Sequence, residues 1–317
     1  NNKVLYNGTF VANAKKNYGK FSANLNLGYD ISDDRDKTTA QFGSRFYQSG
    51  FFSLNNTDPT TQRVQYTDIY KRKMGVFAQA LLGYDDMLYL SFIGRQDFSS
   101  TLSPGDIGFF YPATSLSFVF SELPVFKKMN WLSEGKFRAS WGQGGKDARR
   151  AYVTKTRLIA QTTTGGGFAT DVTLGNPDLA AEFTTTTEFG MDLAFLKNRL
   201  SANFSYYFIE SDGQITAPRL SYATGAILAY INSGLIKNRG FELTVKGTPI
   251  LKKDFSWNIT ANLTRQRGEL VSLPGGQSTF YVSDSWLAGN VRKQYFVGSS
   301  ISALGGIDYL RNNNGDV

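Results

Sequence analysis

The chain has 317 residues, of which 41% are apolar and 15% aromatic, and its formal net charge is +8. It has no cysteine and no histidine, which excludes disulfides, thiol nucleophiles and the acid–base and zinc chemistry of imidazole. No stretch approaches the roughly 18 consecutive apolar residues of a transmembrane helix, and residues 1–4 show no export signal. The mean hydropathy of -0.28 still permits a membrane protein, because membrane-spanning β-strands need only about ten residues of alternating character.

The positive charge raises the alternative of a nucleic-acid-binding protein. Lysine and arginine are scattered along the chain, however, and their densest groups are only residues 71–73 and 149–150. Solvation at strand ends, or an anionic outer leaflet, explains such small groups better than a nucleic-acid interface does.

Apolar and polar side chains alternate with a period of two along much of the chain, which predicts half-buried β-strands. Within residues 200–211, for example, Phe204 and Phe208 point to one face and Asn203 to the other. About ten such segments occur, each near the length that crosses a bilayer. The segments are 3–14, 19–31, 72–84, 87–98, 109–121, 134–143, 184–195, 200–211, 236–249 and 255–264.

Short and long connections alternate between these strands. The short ones are 15–18, 85–86, 197–198 and 251–254, and the long ones are 32–71, 99–108, 144–182, 212–234 and 268–317. This asymmetry predicts an all-β, antiparallel, up-and-down transmembrane barrel with short periplasmic turns and long extracellular loops. One longer periplasmic connection, 122–133, has Pro124 near its start and is predicted to form a short helix or turn.

The alternation gives the predicted sheet one apolar face and one polar face, and the fold class decides whether the apolar face contacts lipid or a dry core. A soluble sandwich shows the same alternation, but its strands are shorter and its connections lack this asymmetry. The membrane interpretation places one set of residues against lipid and another in the lumen. The first set is Leu25, Phe204, Phe208, Ile259 and Leu263, and the second is Asn24, Asn203, Asn258 and Asn262.

Several short motifs occur in a fixed order. Residues 175–179 read G-N-P-D-L and are followed by Glu182, by T-E-F-G-M-D at 187–192 and by F-L-K-N-R-L at 195–200. Further pieces are W-L-S at 131–133, K-F-R-A-S-W-G-Q at 136–143 and K-N-R-G-F-E at 237–242. This series resembles the SusC/RagA family of TonB-linked outer-membrane transporters over most of residues 3–300.

The resemblance implies that the chain is part of a barrel of about 22 strands that surrounds a plug domain not included in these residues. It places residues 37–47 in an extracellular loop, although their pattern alone also suggests a strand. An open arc with two free edges is therefore expected, since about ten strands cannot enclose a plug.

The implied function is active import of glycan or peptide fragments, with no enzymatic activity and no cofactor. The implied partners are TonB and a SusD-like surface lipoprotein. Two alternatives remain: a structural subunit of an outer-membrane assembly or secretion complex, and a surface adhesin of long β-hairpins.

No catalytic or metal site is predicted, and the substrate-binding residues are not assigned. Residues 33–36 are acidic, but they lack the spacing of a calcium loop and are interpreted as a solvated loop. Residues 142–146 resemble a phosphate loop only weakly. Glu188 and Asp192 are expected to be lumen charges rather than an acid–base pair. A group of aromatic residues is considered for sugar stacking, although packing against other loops is the simpler interpretation: Phe109, Phe110, Tyr111, Tyr222, Tyr230 and Trp286.

Overall fold

A computed structural model describes residues 2–160, 167–281, 291–312 and 314. Its main element is a ten-stranded antiparallel sheet in the order β1-β2-β3-β4-β5-β6-β10-β11-β13-β14. These strands are β1 (Asn2–Tyr18), β2 (Phe21–Phe42), β3 (Arg63–Tyr84), β4 (Leu88–Ser99), β5 (Gly108–Phe118), β6 (Leu132–Lys146), β10 (Glu182–Phe195), β11 (Leu200–Thr216), β13 (Ile231–Leu251) and β14 (Ser256–Ser272). Each strand pairs with the next large strand along the chain, so all ten predicted strands and their up-and-down order are confirmed.

The remaining elements are small and lie in the connections. They are the strands β7 (Leu158–Ala160), β8 (Phe168–Thr170), β9 (Thr173–Leu174), β12 (Leu228–Ala229), β15 (Thr279–Tyr281), β16 (Val291–Phe296) and β17 (Leu304–Gly306), and the helix α1 (Pro124–Lys127). Turns of 3-10 helix occupy Leu54–Asn56, Pro59–Thr61, Phe120–Glu122, Tyr222–Thr224 and Pro274–Gly276. Within the described ranges, no helix has the length and apolar character needed to cross a membrane.

Tight turns join the strands at one end of the sheet. Asp85 and Asp86 both have a φ of 52° in the connection 85–87, and residues 196–198 also have positive φ in the connection 196–199, as is favoured in tight hairpin turns. The first turn lies at Gly19 and Lys20 rather than at 15–18, because β1 continues to Tyr18. The predicted helix or turn within 122–133 is confirmed by α1.

The long connections are shorter than predicted, because the strands continue beyond the apolar pattern. β2 and β3 stay paired up to Phe42 and Arg63, so the connection expected at 32–71 is 43–62, and residues 37–42 are strand rather than loop. Similarly, the connections expected at 144–182, 212–234 and 268–317 begin or end within strands and run over 147–181, 217–230 and 273 onward. Hydrophobic alternation stops at these positions while the backbone ladder continues.

The outer face of the sheet is apolar over a limited height. Residues directly opposite each other on neighbouring strands share a face, so Phe21 and Tyr84 lie on the same face as Leu25. This face ends at Ile31, and the next outward pair is Asp33 with Arg72, joined by hydrogen bonds of 2.6 and 2.7 Å. The ten residue steps from Phe21 to Ile31 measure about 33 Å along the strand, or about 25 Å after a tilt of roughly 40°. That height matches the apolar band of an outer-membrane barrel.

The two end strands of the sheet, β1 and β14, each pair with one large strand within the described residues. Both are exposed along most of their length. The expected open arc is therefore confirmed: among the described residues, the sheet does not close on itself.

The two faces are expected to tolerate charge differently. Phe204→Arg should destabilise the full-length protein by about 2–4 kcal/mol, because it places a guanidinium against hydrocarbon. Its neighbour Asn203, which points to the opposite face, should accept arginine at much lower cost. The measurement is the urea midpoint of folded protein in lipid vesicles. Equal shifts for the two variants would contradict the assignment of the faces.

Candidate functional site

The face opposite the apolar band, here called the inner face, carries a network of paired charges. Arg138 donates to both carboxylate oxygens of Asp192, from Nε at 3.0 Å and from Nη2 at 3.3 Å, and its Nη1 lies 3.6 Å from Glu188. Lys136 lies 3.2 Å from Asp192, which also accepts a hydrogen bond from Asn203. Glu188 and Asp192 are therefore lumen-side charges held by cations, as predicted.

A second inner-face network lies on β2–β5. Arg95 forms ion pairs of 2.7 Å with both Asp30 and Asp97, and Tyr111 donates to Asp97 at 2.6 Å. The Phe77 ring lies against Gly28, where an added Cβ would come within 2.1 Å of the ring, and Arg95 lies 5.6 Å from the ring centroid. The aromatic ring and the charges thus fill the inner face of β2–β5, where Arg95 is held by two carboxylates.

The acidic run 33–36 is part of strand β2 and not the solvated loop that was expected. Consecutive strand residues point to opposite faces, so its carboxylates separate. Asp33 binds Arg72 on the outer face, while Asp34 lies 3.4 Å from Lys3 and 3.5 Å from Lys71 on the inner face. Among the described residues, no group of three or more acidic side chains could hold a metal ion.

The remaining candidates have mainly structural surroundings. Residues 142–146 are the end of strand β6, so they form no phosphate loop. Phe109 is buried and stacks on Tyr111 at 6.0 Å, whereas Phe110 is exposed. Tyr230 packs beside this group and lines the cleft described below. Trp286 and the side chain of Tyr222 lie outside the described residues.

The connection 147–181 is fixed to the wall by one buried carboxylate. Asp147 accepts hydrogen bonds from Lys73 at 2.5 Å, Ser99 at 2.6 Å and Thr101 at 3.0 Å. Burial raises the pKa of Asp147, but these hydrogen bonds outweigh that effect and hold the pKa below its ordinary value. The side chain is therefore ionised at neutral pH.

Apolar packing continues this attachment. Ala148, Val153, Leu179 and Ala181 from the connection form a buried cluster with Leu102 and Phe109. Leu179 is fully buried, and Asn232 holds the neighbouring Ala180 through hydrogen bonds of 3.0 Å from its N–H and 2.9 Å to its C=O. The described residues of the connection, 147–160 and 167–181, thus form a packed cap on the sheet.

A cleft of about 590 Å³ separates this cap from the upper part of β1–β3. Its lining includes Asp34 and Lys71 from the inner face of the hairpin and Arg149 and Arg150 from the cap. Arg157 is paired with Asp171 at 2.7 Å at its border. The cleft is open and charged.

Comparison with known proteins shows which family has this architecture. The chain matches the family of TonB dependent receptor-like β-barrels over residues 1–316. It belongs to that family. TonB-dependent receptor barrels lie in the outer membrane, so the apolar outer face contacts lipid there.

Relatives of this TonB-dependent receptor barrel agree with the resemblance predicted from its motifs. It is 28% identical to TonB-dependent receptor P26 of Formosa agariphila over 85% of the chain and 28% of that protein. It is 25% identical to TonB-dependent receptor SusC of Bacteroides thetaiotaomicron over 81% of the chain and 28% of that protein. The chain thus spans less than a third of the length of these curated relatives.

Solved structures show the same fold. A structure of the RagAB peptide transporter superposes with a TM-score of 0.85 at 21% identity, covering 93% of this chain and 33% of that one. The same importer in its closed-closed state gives a TM-score of 0.86 at 20% identity, over 99% of this chain and 36% of that one. The predicted resemblance to SusC and RagA is confirmed.

Sequence reasoning did not identify Asp147 as the anchor of the cap in this receptor barrel. Asp147 is followed in the sequence by Arg149 and Arg150, which were noted only as a basic group. Lys73 and Ser99 lie 74 and 48 positions away in the chain, so no local pattern joins them to Asp147. The available signal was a single acid just after a strand, two residues before a basic pair.

Asp147→Asn should release the cap while leaving the wall folded. The substitution removes a charge-assisted hydrogen bond to Lys73, at a cost of about 2 kcal/mol, so the open form should become about 30-fold more populated. Trypsin cleavage after Arg149 or Arg150 in outer-membrane vesicles holding the full-length protein should accelerate accordingly. Asp178→Asn is the control, because Asp178 lies exposed in the same connection and forms no ion pair within the described residues. Equal cleavage rates for both variants would contradict the anchoring role.

Proposed function

We propose that the full-length protein is a TonB-dependent importer that carries glycan or peptide fragments across the outer membrane. The observation that supports this most directly is a wall with an apolar outer face and an inner face of paired charges, in a member of the TonB-dependent receptor family. Polar oligomers need a hydrated path of this kind. In this proposal TonB supplies the energy, and no enzymatic step on the substrate is required.

The proposed substrate class is supported by similarity to known transporters and by the size of the surface at the loop end of the wall. One curated relative is SusC, and the fold matches structures of a peptide transporter and importer. The cap 147–181 and the long β2–β3 hairpin provide a large surface at the loop end of the wall. We infer that oligomeric substrates enter at this end and that a SusD-like surface lipoprotein covers it.

The orientation of the wall can be tested by cysteine labelling, since the chain has no native cysteine. A cysteine at Asp178, in the cap, should react on intact cells with a membrane-impermeant maleimide. One at Asn198, in a tight turn at the other end, should react only after the outer membrane is permeabilised. Both positions are exposed, so accessibility is matched. Labelling of Asn198 on intact cells would reverse the proposed orientation.

Import can be tested genetically in the native organism. Deletion of the full-length gene should abolish growth on at least one member of a panel of purified polysaccharides and protein hydrolysates, each supplied as the sole source of carbon. Re-expression of the gene should restore growth, and a strain lacking TonB should show the same defect as the deletion. A deletion strain that grows normally on the whole panel, with the protein co-isolated stoichiometrically with assembly or secretion components, would instead establish a structural role.

A further inference from the structure

We propose that the cleft between the cap and the upper part of strands β1–β3 binds acidic oligosaccharides, meaning sugars that carry carboxylate or sulfate groups. This inference rests on the proposed import function and names the substrate class of that site. It starts from the charge of the lining, which contains six cationic side chains and four carboxylates.

The ion pairs show which of these lining charges are already compensated within the protein. Lys3 and Lys71 share Asp34, and Arg157 is paired with Asp171. Asp68, a further lining carboxylate, is occupied by Arg35, which donates to it at 2.6 and 3.0 Å. By contrast, Arg149, Arg150 and Lys155 form no ion pair with any residue that the structure describes. Three cations at one cleft are therefore available to an anionic ligand.

The backbone that carries the two arginines is held in place. Asp147 and Ala148 are buried on one side of the pair, and Val153 is buried on the other. Tyr152 adopts a φ of 62°, which is unusual for a side chain of this size, and its hydroxyl accepts a hydrogen bond of 3.3 Å from the backbone N–H of Tyr70. The guanidinium groups are thus presented by a fixed segment, which lowers the entropic cost of binding.

The other lining residues favour a sugar over a peptide. Tyr152 and Tyr230 border the cleft, and tyrosine rings offer flat apolar surfaces with a polar edge. The carboxylate of Asp36 and the hydroxyl of Thr173 can bond sugar hydroxyl groups. Arginine binds carboxylate and sulfate oxygens in a bidentate manner, so one sugar acid can engage one guanidinium.

The cleft is lined in part by inner-face residues of the wall. Lys71 and Asp34 lie on the inner face, opposite the side that contacts lipid. Arg149 and Arg150 line the same cleft, which we place on the substrate path.

Binding can be measured on the purified full-length protein in detergent by isothermal titration calorimetry. The probes are tetragalacturonate, a sulfated galactan tetramer, neutral galactotetraose and hexaglutamate. We expect at least one of the two anionic sugars to bind at least tenfold more tightly than the neutral sugar. Its affinity should fall as the NaCl concentration rises from 0.05 to 0.5 M, because salt screens the charges.

The double variant Arg149→Ala/Arg150→Ala should weaken binding of that sugar at least tenfold, and Lys155→Ala should weaken it less. Lys252→Ala/Lys253→Ala is the matched control, because it removes an exposed basic pair from a turn at the opposite end of the sheet and should leave the affinity unchanged. Heat-modifiable mobility on gels checks that every variant is folded.

Several outcomes would overturn the inference. They are binding of neither anionic sugar, equal binding of hexaglutamate, loss of binding in the control pair, and competition by lipid A. Growth assays separate this failure from failure of the import proposal. If the deletion strain has a growth defect that the double variant fully rescues on every substrate, import stands and the cleft assignment falls. If deletion causes no defect, the import proposal itself falls.

Discussion

Backbone hydrogen bonding in lipid is the constraint on which this structure depends. An N–H or C=O group without a partner in hydrocarbon costs several kcal/mol, so strands cross the bilayer only as neighbours in a continuous ladder. β2 and β3 keep this ladder unbroken over all 22 residues of each strand. The ladder in turn imposes strict alternation of side chains, which is why the outer and inner faces have such different chemistry. Tight turns with positive φ then complete the β1–β2, β3–β4 and β10–β11 hairpins without exposing backbone groups to lipid.

The alternation made most of the wall predictable. Each of the ten strands crosses the apolar band, and there the sequence must place apolar residues on every second position. Above the band this requirement ends. Two ion pairs cross from β2 to β3 above the band: Asp33 with Arg72, and Arg35 with Asp68. Because the outer face meets water there, these strand residues have the polar composition of a loop. Residues 32–36 were assigned to a loop for this reason, whereas residues 37–42 were placed there by the family resemblance although their pattern suggests a strand.

The cap and the cleft depend on contacts between distant parts of the chain. Asp147 meets Lys73 and Ser99 only because β3, β4 and β6 are brought together at the same end of the sheet. The basic pair at 149–150 was visible in the sequence, but its partners were not. A short charged motif does not reveal whether its charges are compensated, because compensation is decided by the fold. The substrate class that we propose could not be derived from the sequence for the same reason.

The two charged regions of this molecule differ in whether their arginines are paired with carboxylates. On the inner face of the wall, Arg138 and Arg95 are each held by two carboxylates, so their charge is used within the protein. Such pairs keep the face polar and hydrated, and they add little attraction for a passing ligand because the local field is nearly cancelled. Arg149 and Arg150 have no such carboxylates within the described residues, and their field extends into the cleft. In the proposed importer this division has a use: attraction at the entrance concentrates a charged substrate, while the paired charges of the wall below it avoid holding that substrate too tightly to release it.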